Sequence, residues 1–286
     1  MHPKQLRNSF LLLIAATIWG TAFVAQRSGM DYLGPFAFTF LRNMIGAAVL
    51  IPVILMSKEK SESSKALIIS GVLSGIALGL ATCLQQYGML YTSVGKAGFL
   101  TALYIIIVPV LGIFFKKKCP LVVWIAVVMA IIGVYLLCIT EGFSINKGDI
   151  FEFLCAIAFA VQILIISKYS HRVNAYRFAC IQFLSAGFFA LIPMFITGES
   201  FTWTQIQTGW FPLVYTGVLS SGVAYTLQIV GERDLNPAAA ALIMSLESCI
   251  SAISAWLILG QSLSLREIIG CVIMFAAIIL VQLRRD

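Results

Sequence analysis

Charged residues are scarce in this chain of 286 residues: they make up 11% of it, whereas 60% of its residues are hydrophobic. Soluble domains hold about 25% charged and 45–50% apolar residues, so the composition excludes an ordinary soluble fold. Histidine is rarer still, with only His2 and His171, and no HExxH pattern occurs. Acidic residues within apolar segments are too few for a paired carboxylate site. These absences argue against a membrane-embedded enzyme, and we expect neither enzymatic activity nor a cofactor.

Cysteine pairs and long polar connections are also missing. The chain has seven cysteines, but no two are spaced as CxxC. Most lie inside apolar segments, where free cysteine behaves as a small hydrophobic residue, so disulfides and a metal centre are both disfavoured. No connection is long enough for a soluble domain, so any ATP-driven machinery would have to come from another polypeptide.

Long apolar segments fill nearly the whole chain instead. A helix of about twenty apolar residues crosses the roughly 30 Å hydrocarbon layer of a bilayer, and the mean hydropathy of +0.98 fits repeated crossings. We therefore predict an all-α integral membrane protein with ten transmembrane helices. The predicted spans are 9–26, 35–56, 66–88, 96–115, 121–139, 149–167, 176–196, 209–230, 237–259 and 265–283.

The distribution of basic residues predicts the orientation. With the N-terminus in the cytoplasm, fourteen lysine and arginine residues near span ends face the cytoplasm, and only Arg27, Lys96, Lys147 and Arg266 face outward. Because basic residues near span ends resist translocation, we predict a multi-pass protein of the plasma membrane with both termini cytoplasmic. Anionic lipid headgroups account for the net charge of +7, so no nucleic-acid partner is expected.

An internal duplication divides the chain into two similar units. The segment GVLSG at 71–75 returns as GVLSS at 217–221, and we place five spans in each of two repeats, residues 1–145 and 146–286. An odd number of spans per repeat inverts the second copy in the membrane. Inverted repeats are a common plan of secondary transporters, where they enclose a site near the bilayer midplane. Transport is therefore the first hypothesis.

The duplication also aligns individual positions. Aligning the first and sixth spans pairs Trp19 with Phe159, and aligning the fourth and ninth pairs Leu100 with Leu242. These pairings need only small insertions and deletions in the loops.

The chain resembles the ten-helix EamA-type branch of the drug/metabolite transporter superfamily over almost its whole length. The resemblance rests on four stretches in order: LLLIAATIWGTAFV, FLRN with Arg42, FLTALYIIIVPVL and SLESCISAISAWLILGQSLSLREIIG. It implies inverted repeats, cytoplasmic termini, a central cavity lined by helices of both halves, and transport of small metabolites.

Two departures from the family pattern concern the ninth and tenth spans. Family members often have Glu-Pro where this chain has Glu247-Ser248, and Gly-Glu where it has Gly260-Gln261. A kink in the ninth span and the turn that follows are therefore open questions here.

Glu247, in the middle of the ninth span, is the leading candidate for a substrate or coupling residue. Helical spacing puts Ser251 on the same face. Charges in hydrocarbon are costly unless they face a partner or a wet cavity. Three interpretations are open: a helix–helix hydrogen bond, a protonatable coupling site, and direct contact with a cationic group of the substrate.

Arg42 and Glu152 are two further charged candidates within predicted spans. Arg42 is either a structural arginine that snorkels or pairs at a helix end, or an anchor for a carboxylate or phosphate. Glu152 lies near the start of the sixth span, where an acid favours the positive end of the helix dipole, so we expect it to cap that helix.

The remaining candidates are amides, aromatic rings and glycines. Buried amides at related places in the two halves either bind a polar ligand or bond each other, and aromatic rings either shape a pocket or pack. A glycine strip lets another helix approach closely, as static packing or as a contact that slides. The residues are the amides Gln85, Gln86 and Gln228, the aromatic residues Trp19, Tyr87 and Tyr104, and the glycines Gly71, Gly75, Gly79 and Gly217.

The leading hypothesis is a secondary transporter that exports amino acids or related metabolites by alternating access. Possible proton coupling would involve Glu247, and Arg42 with Glu247 would suit a zwitterion. The first span, 9–26, contains no glutamate, so the coupling scheme of the small four-helix multidrug relatives does not carry over. The alternatives are a facilitative uniporter or exchanger, a transporter of drugs or other metabolites, and, less favoured, a lipid scramblase. Two repeats in one chain complete a pathway, so we expect a monomer.

Overall fold

The chain folds as a bundle of helices, and every regular element in the part that the structure describes is helical. This computed structural model describes residues 3–57, 63–92, 94–114, 120–138, 146–259 and 264–283. The helices are α1 Pro3–Gly29, α2 Pro35–Met56, α3 Ser64–Gly88, α4 Val94–Ala102, α5 Tyr104–Phe114, α6 Leu121–Cys138, α7 Lys147–Tyr169, α8 Ala175–Thr197, α9 Trp203–Thr208, α10 Trp210–Val214, α11 Thr226–Gly231, α12 Pro237–Met244, α13 Glu247–Leu259 and α14 Leu265–Leu283. A π-helical segment, Tyr215–Tyr225, joins α10 to α11.

Several residues used in the sequence analysis lie outside the described residues. They include half of the fourteen basic residues in the orientation argument and both residues of the turn after the ninth span. These residues are Lys58, Lys60, Lys116, Lys117, Lys118, Gly260, Gln261, Arg284 and Arg285.

Most of the predicted spans correspond to long apolar helices. Seven helical stretches among the described residues are long and apolar enough to cross a membrane. Three shorter apolar helices, Leu100–Ile113, Leu121–Leu136 and Ile268–Leu280, lie where the fourth, fifth and tenth spans were predicted. The chain is therefore an all-helical membrane protein, and the count of ten spans stays a prediction.

Helices from the two halves of the sequence pack against one another. The α3 helix lies against α7 and α8, α2 lies against α8 and the π-helical segment, and α6 lies against α14. The α1 helix contacts the π-helical segment and α13, while α5 contacts α7. The main core cluster accordingly combines buried side chains from both halves, such as Leu12, Val108 and Leu242.

The α2 and α8 helices run antiparallel and are joined by polar contacts at both ends. At one end the Glu199 carboxylate accepts hydrogen bonds from the backbone N–H groups of Phe36 and Ala37, each at 3.0 Å. At the other end the Asn174 side-chain amide donates to the Ser57 hydroxyl at 3.3 Å. We call the end with Ser57 and Asn174 the basic end, because Lys4, Arg7, Lys65, Arg172 and Arg177 lie there, and the end with Glu199 the opposite end.

A glycine strip on α3 lies directly against α8. A methyl group on Gly75 would lie 2.5 Å from the Gln182 carbonyl oxygen, and one on Gly71 would lie 2.7 Å from the Ile181 side chain. At Gly79 the nearest atoms of α8 would be 3.0 Å away. Any side chain here would push the two helices apart.

Gly217, in the π-helical segment, lies in the same way against α2. A methyl group there would lie 2.6 Å from the Ile45 side chain and 3.2 Å from the Arg42 carbonyl oxygen. Static packing and a contact that slides during a transport cycle both stay open as interpretations of these glycines.

The start of α7 corrects one expectation about Glu152. The Asn146 side chain and Asp149 form a reciprocal capping box, so these two residues satisfy the first turn of the helix. Glu152 lies farther along α7 and is 0% exposed. It is therefore not the helix cap, and its carboxyl group lies inside the bundle.

Candidate functional site

Two of the predicted spans are interrupted midway, at equivalent places in the two halves of the sequence. The fourth span divides at Leu103 into α4 and α5, and the ninth divides at Ser245 and Leu246 into α12 and α13. In transporters built from repeats, paired interruptions of this kind lie at the binding site. The interrupted helices therefore indicate where to look for a ligand.

The interruption of the ninth span forms without the proline that the family often has there. The Ser245 hydroxyl donates to the Leu242 carbonyl at 2.7 Å, and such local bonds compete with the helical ladder. The Ser248 hydroxyl, at the proline position, donates to the Gly98 carbonyl of α4 at 3.2 Å. The open question about a kink is thus answered: the span is broken just before Glu247.

Tyr104 and Glu247 join the two interrupted spans. Each is the first residue of the second half-helix in its span, and the Tyr104 hydroxyl donates to the Glu247 carboxyl at 3.1 Å. Glu247 is 6% exposed. A carboxylate at a helix N-terminus is favoured by the helix dipole, and the phenol supplies one hydrogen bond more.

A small central cavity surrounds this pair. Its volume is about 30 Å³, and since one water molecule needs about 10–15 Å³ on this measure, it has room for only a few. An amino acid would not fit without a movement of the walls. The cavity is lined by Trp19, Tyr104, Phe159, Gln162, Ile163, Tyr225, Gln228, Met244 and Glu247.

Two amides extend the cavity wall toward the basic end. The Gln228 amide donates to Gln162 at 3.2 Å and to the Glu232 carboxyl at 2.8 Å, and Gln162 donates back to Gln228 at 3.3 Å. Burial raises the pKa of Glu232 well above its usual range, although the Gln228 hydrogen bond opposes the shift. Gln228 thus has an amide partner, but its partner is Gln162 rather than Gln85 or Gln86.

Arg42 lies behind the cavity wall. It is 2% exposed, so its head group is inside the bundle, which contradicts the snorkelling alternative. One guanidinium nitrogen donates to the Gln26 side chain at 2.7 Å, and the Gln86 amide donates to the Gln26 backbone carbonyl at 3.2 Å. Tyr225 interacts with the guanidinium and also lines the cavity. The Nε of Arg42 has no hydrogen-bond partner in the described part of the chain.

Gln85 belongs to a second polar cluster, away from the cavity. Its amide donates to the Thr101 hydroxyl at 3.3 Å, and that hydroxyl donates to the Glu152 carboxyl at 3.1 Å. The cluster joins α3, α4 and α7 near the opposite end. Sequence reasoning missed it because Glu152 was assigned to the helix cap.

Trp19 and Tyr225 form the aromatic part of the cavity wall. Their ring centroids are 4.8 Å apart, and the Trp19 indole donates to the Ser220 carbonyl in the π-helical segment at 3.3 Å. π-Helical turns are frequent at functional sites. Phe159, the residue aligned with Trp19, lies across the same cavity.

Tyr87 lies in a separate aromatic cluster near the opposite end. Its ring stacks on Phe36 at 5.5 Å and meets the Tyr91 ring edge-on at 5.3 Å. The Lys147 ammonium lies 3.6 Å above the Tyr91 ring. The hydrogen bond to Tyr87 and the contact with Lys147 lower the pKa of Tyr91.

The structure thus brings together four of the predicted site residues and leaves five outside the cavity. Trp19, Tyr104, Gln228 and Glu247 line it. The lining residues that the sequence analysis did not select are Phe159, Gln162, Ile163, Tyr225 and Met244. For Phe159 the alignment with Trp19 was the available signal. The candidates outside the lining are Arg42, Gln85, Gln86, Tyr87 and Ser251.

Arg233 fastens the loops at the basic end. It donates to the backbone carbonyls of Ser170 and Val173 at 2.8 and 3.0 Å, while the Asn8 side chain donates to the Arg233 carbonyl. These contacts tie the start of α1 to the ends of α7 and α11. Within the described ranges, no group of three histidine, cysteine or acidic residues could hold a metal ion.

The sequence model of the EamA-like transporter family matches residues 7–139 and again residues 146–283. The chain belongs to the EamA-like transporter family. The two matches together take in almost its entire length, so the membership, and with it the drug/metabolite transporter superfamily, extends to the whole protein.

Relatives of this EamA-like protein are also named as transporters. An uncharacterized transporter of Archaeoglobus fulgidus is 30% identical over 98% of this chain and 87% of its own. The uncharacterized inner membrane transporter YedA of Escherichia coli is 22% identical over 99% and 93%. A crystal structure with 17% identity superimposes with a TM-score of 0.81 over 97% of this chain and 96% of its own, which shows the fold alone. The protein is a multi-pass membrane transporter, which implies a non-enzymatic role.

Proposed function

We propose that this EamA-like protein is a secondary transporter that exports amino acids or related small metabolites by alternating access through its central cavity. The observation that carries the proposal is the meeting of two interrupted helices at the buried Tyr104–Glu247 pair, on the wall of the small central cavity. Discontinuous helices expose backbone groups and dipole ends to a ligand at the bilayer midplane.

The proposed architecture is ten spans in two inverted five-span repeats, residues 1–145 and 146–286. The antiparallel packing of α2 on α8 supports inversion, because these helices are the second members of the two repeats. The packing is also symmetric: α3 against α7 corresponds to the π-helical segment against α1. The double match of the family model supports the same division.

The proposed orientation has the basic end in the cytoplasm, together with both termini. Basic residues described at that end, such as Lys4, Lys168 and Arg172, support it through their resistance to translocation. The opposite end would then face outward. We propose that one chain suffices for transport, since both walls of the cavity come from the same polypeptide.

The charges near the cavity suit a zwitterion. Glu247 would face the ammonium group of an amino acid, and the rings of Trp19 and Tyr225 would add cation–π attraction. Arg42 would face the carboxylate, for which its guanidinium fork is well shaped. Because Tyr225 stands between Arg42 and the cavity, this contact requires Tyr225 to move when the cavity opens.

Glu247 is also the proposed coupling residue. It is buried and bonded to a neutral phenol, and a buried charge with no cationic partner is costly. A proton would bind Glu247 when the substrate leaves and be released when the substrate's ammonium group arrives. Substrate export would then be driven by proton import.

The test is transport in proteoliposomes preloaded with a mixture of labelled amino acids, with and without a pH gradient. We compare the wild type with Glu247→Gln and with the control Glu199→Gln, an acid outside the cavity. Gradient-driven flux that is lost only in Glu247→Gln supports the proposal. Equilibration that ignores both the gradient and the variant indicates a facilitative uniporter or exchanger. An absence of flux in the wild type excludes amino acids and directs the search to other metabolites, drugs or lipids.

A further inference from the structure

Besides Glu247 and the capping residue Asp149, two buried carboxyl groups lie near the two ends of the bundle. Glu152 and Glu232 are 0% and 2% exposed. Each accepts one hydrogen bond from a neutral donor: Thr101 donates to Glu152, and Gln228 donates to Glu232. The second carboxyl oxygen of each, Oε1 of Glu152 and Oε2 of Glu232, has no hydrogen-bond partner among the described residues.

The two carboxyl groups lie at corresponding helix junctions. Near the opposite end, α7 begins against the last residue of α3: a methyl group on Gly148 would lie 2.7 Å from the Gly88 carbonyl oxygen. We call this contact the opposite-end junction. Glu152 lies one turn after Gly148, and a methyl group on Gly88 would lie 2.7 Å from its carboxyl oxygen. Glu152 is therefore packed directly beneath this junction.

The basic-end junction repeats the arrangement with the other pair of helices. Here α1 begins against the last residue of α11: a methyl group on Gly231 would lie 3.0 Å from the Asn8 carbonyl oxygen and 2.8 Å from Leu12. Asn8 aligns with Gly148 in the repeat. Glu232 follows Gly231 directly. Each junction thus covers one acid whose second carboxyl oxygen has no hydrogen-bond partner among the described residues, although the two acids do not align in the sequence.

The surroundings do not compensate a negative charge at either position. Glu152 faces Asp149 and Cys155 on its own helix, and the neutral Thr101 and Gln85 on α4 and α3. Glu232 lies at the C-terminal end of α11, where the helix dipole disfavours an anion. Moving a carboxylate out of water without a partner is strongly unfavourable.

The charged groups near Glu232 are engaged elsewhere. The Arg233 guanidinium donates to loop carbonyls, and Arg7 on α1 donates to the Asn8 side chain. On the loops, His171 pairs with Asp234 at 3.9 Å. On α8, Arg177 is exposed.

We propose that Glu152 and Glu232 are two further proton-binding sites, each of which holds its junction closed while protonated and releases it when ionised. The inference rests on the proposed alternating access, in which the two ends open in turn. When a junction opens, water reaches the carboxyl group, its O–H bond breaks, the proton passes to water on that side, and the carboxylate remains hydrated. Closure requires the proton to return. Each end of the pathway therefore senses the pH of the side that it faces.

The sign of the effect follows from burial. Because the closed junction holds the neutral acid, its stability is fully present at low pH and is lost as the pH rises through the value at which the buried carboxyl group ionises. Linkage of one proton gives a change of up to about tenfold in the opening equilibrium for each pH unit above that value.

The test is hydrogen–deuterium exchange of the full chain in nanodiscs, between about pH 5 and pH 9, a range that extends well above the usual ionisation of a carboxyl group. Exchange is corrected for the pH dependence of the chemical step. The reporting peptides are 84–92 with 146–153 for the opposite-end junction, and 5–12 with 228–236 for the basic-end junction. No substrate is needed, so the result is independent of whether amino acids are transported.

In the wild type we expect protection at both junctions to fall by tenfold or more across this range, within the limit of about tenfold per pH unit set by one proton. Glu232→Gln should remove the pH response at the basic-end junction alone, and Glu152→Gln at the opposite-end junction alone. The variants Glu232→Asp and Glu152→Asp keep a titratable group and should keep the response. Glu199→Gln should change neither junction.

Two results would overturn the proposal. One is a pH response at the junctions that persists in both glutamine variants. The other is the absence of any pH response at either junction in the wild type. Loss of protection throughout the chain in a glutamine variant, with the aspartate variant also unresponsive, would assign the residue to packing alone. Lack of amino-acid flux would refute the proposed substrate and leave this result standing.

Discussion

The two halves of the chain contribute different chemistry to the same cavity. The N-terminal half supplies the rings of Trp19 and Tyr104, whereas the C-terminal half supplies the carboxyl group of Glu247 and the amides of Gln162 and Gln228. The halves keep matching helix interruptions and matching junctions. The comparison teaches that the two halves match in where their helices are interrupted but differ in the side chains that they present to the cavity, so that in the proposed function recognition and coupling depend mainly on the C-terminal half.

The same asymmetry appears where α2 and α8 begin. The α8 helix is capped by its own Asn174, but the Ncap residue of α2 is Gly34, which has no side chain. The C-terminal half supplies Glu199 in its place, through bonds to the Phe36 and Ala37 N–H groups. The C-terminal half thus supplies the helix cap that α2 lacks.

The largest expected effect comes from exchanging the side chains of the central pair, Tyr104 and Glu247. Tyr104→Glu puts two carboxyl groups together, so we expect flux to fall by about 100-fold, the equivalent of a lost charge-assisted hydrogen bond of about 1.5–3 kcal/mol. The double variant with Glu247→Tyr restores one phenol and one carboxyl group. We expect it to recover at least about tenfold of the flux, measured as substrate efflux from proteoliposomes.

A double variant no better than Tyr104→Glu alone would mean that the halves are not interchangeable at this pair. Protein yield and thermal stability of each variant provide the control for folding.

The next effect concerns the glycine strip, where Gly75→Ser makes the first copy match Ser221 of the second. The added side chain would lie 2.5 Å from the Gln182 carbonyl oxygen and the Ser185 side chain, and overpacking of this kind costs about 1–3 kcal/mol. We expect a lower melting temperature in detergent. The matched control is Gly222→Ala, whose added methyl group finds its nearest neighbour at 3.5 Å; equal destabilisation by both variants would contradict the close approach.

A smaller effect is expected when an amide of each half is replaced separately and the KM values are compared. Gln228→Leu removes a polar group from the cavity wall and leaves Gln162 and Glu232 without their partner, so we expect KM for a transported amino acid to rise about tenfold, or 1.4 kcal/mol. Gln85→Leu, outside the cavity, should change KM less than about threefold, which is below 1 kcal/mol. A larger KM effect from Gln85 would place substrate recognition in the first copy.

The smallest expected effect concerns Glu199, whose carboxyl group caps the start of α2. Burial outweighs its two backbone hydrogen bonds and raises the pKa of Glu199. Its contribution to stability is therefore fully present below its usual pKa and is lost as the pH rises through the raised value. Since Glu199 is partly exposed, the free energy of unfolding of the wild type should fall relative to Glu199→Gln by less than about 1 kcal/mol between about pH 4 and pH 7. Thermal unfolding at several pH values measures it; a rise would contradict the sign.

Much of the helical architecture could be predicted from the sequence, because runs of apolar residues as long as a bilayer is thick leave few alternatives to membrane-spanning helices. Glu247 and Tyr104 could be selected because polar groups are rare in such runs. The break between Met244 and Glu247 could not be predicted, since it depends on hydrogen bonds from Ser245 and Ser248 rather than on proline.

The misplaced candidates share a physical cause. The sequence gives the distance along a helix but not the rotation that decides which side chain faces the cavity. Arg42 therefore could not be distinguished from a cavity residue, although Tyr225 separates it from the cavity. Glu232 lies just after the predicted span 209–230, where its position along the chain gives no sign of burial, and the packing of Gly231 against α1 accounts for its being buried.

The two interrupted spans differ in how fixed their missing hydrogen bonds are. In the fourth span, Pro109 lies within α5, beyond the break at Leu103, and has no N–H group, so the helical bond to the Ile105 carbonyl is missing in every conformation. In the ninth span the break is accompanied by two hydroxyl hydrogen bonds, from Ser245 to the Leu242 carbonyl and from Ser248 to the Gly98 carbonyl. Release of these two bonds would let the ninth span close into a continuous helix and turn Glu247, whereas the bond missing at Pro109 cannot form. The Glu247 carboxyl group therefore adjoins a break that such a change would reverse, while the Tyr104 hydroxyl belongs to a helix whose missing bond is permanent.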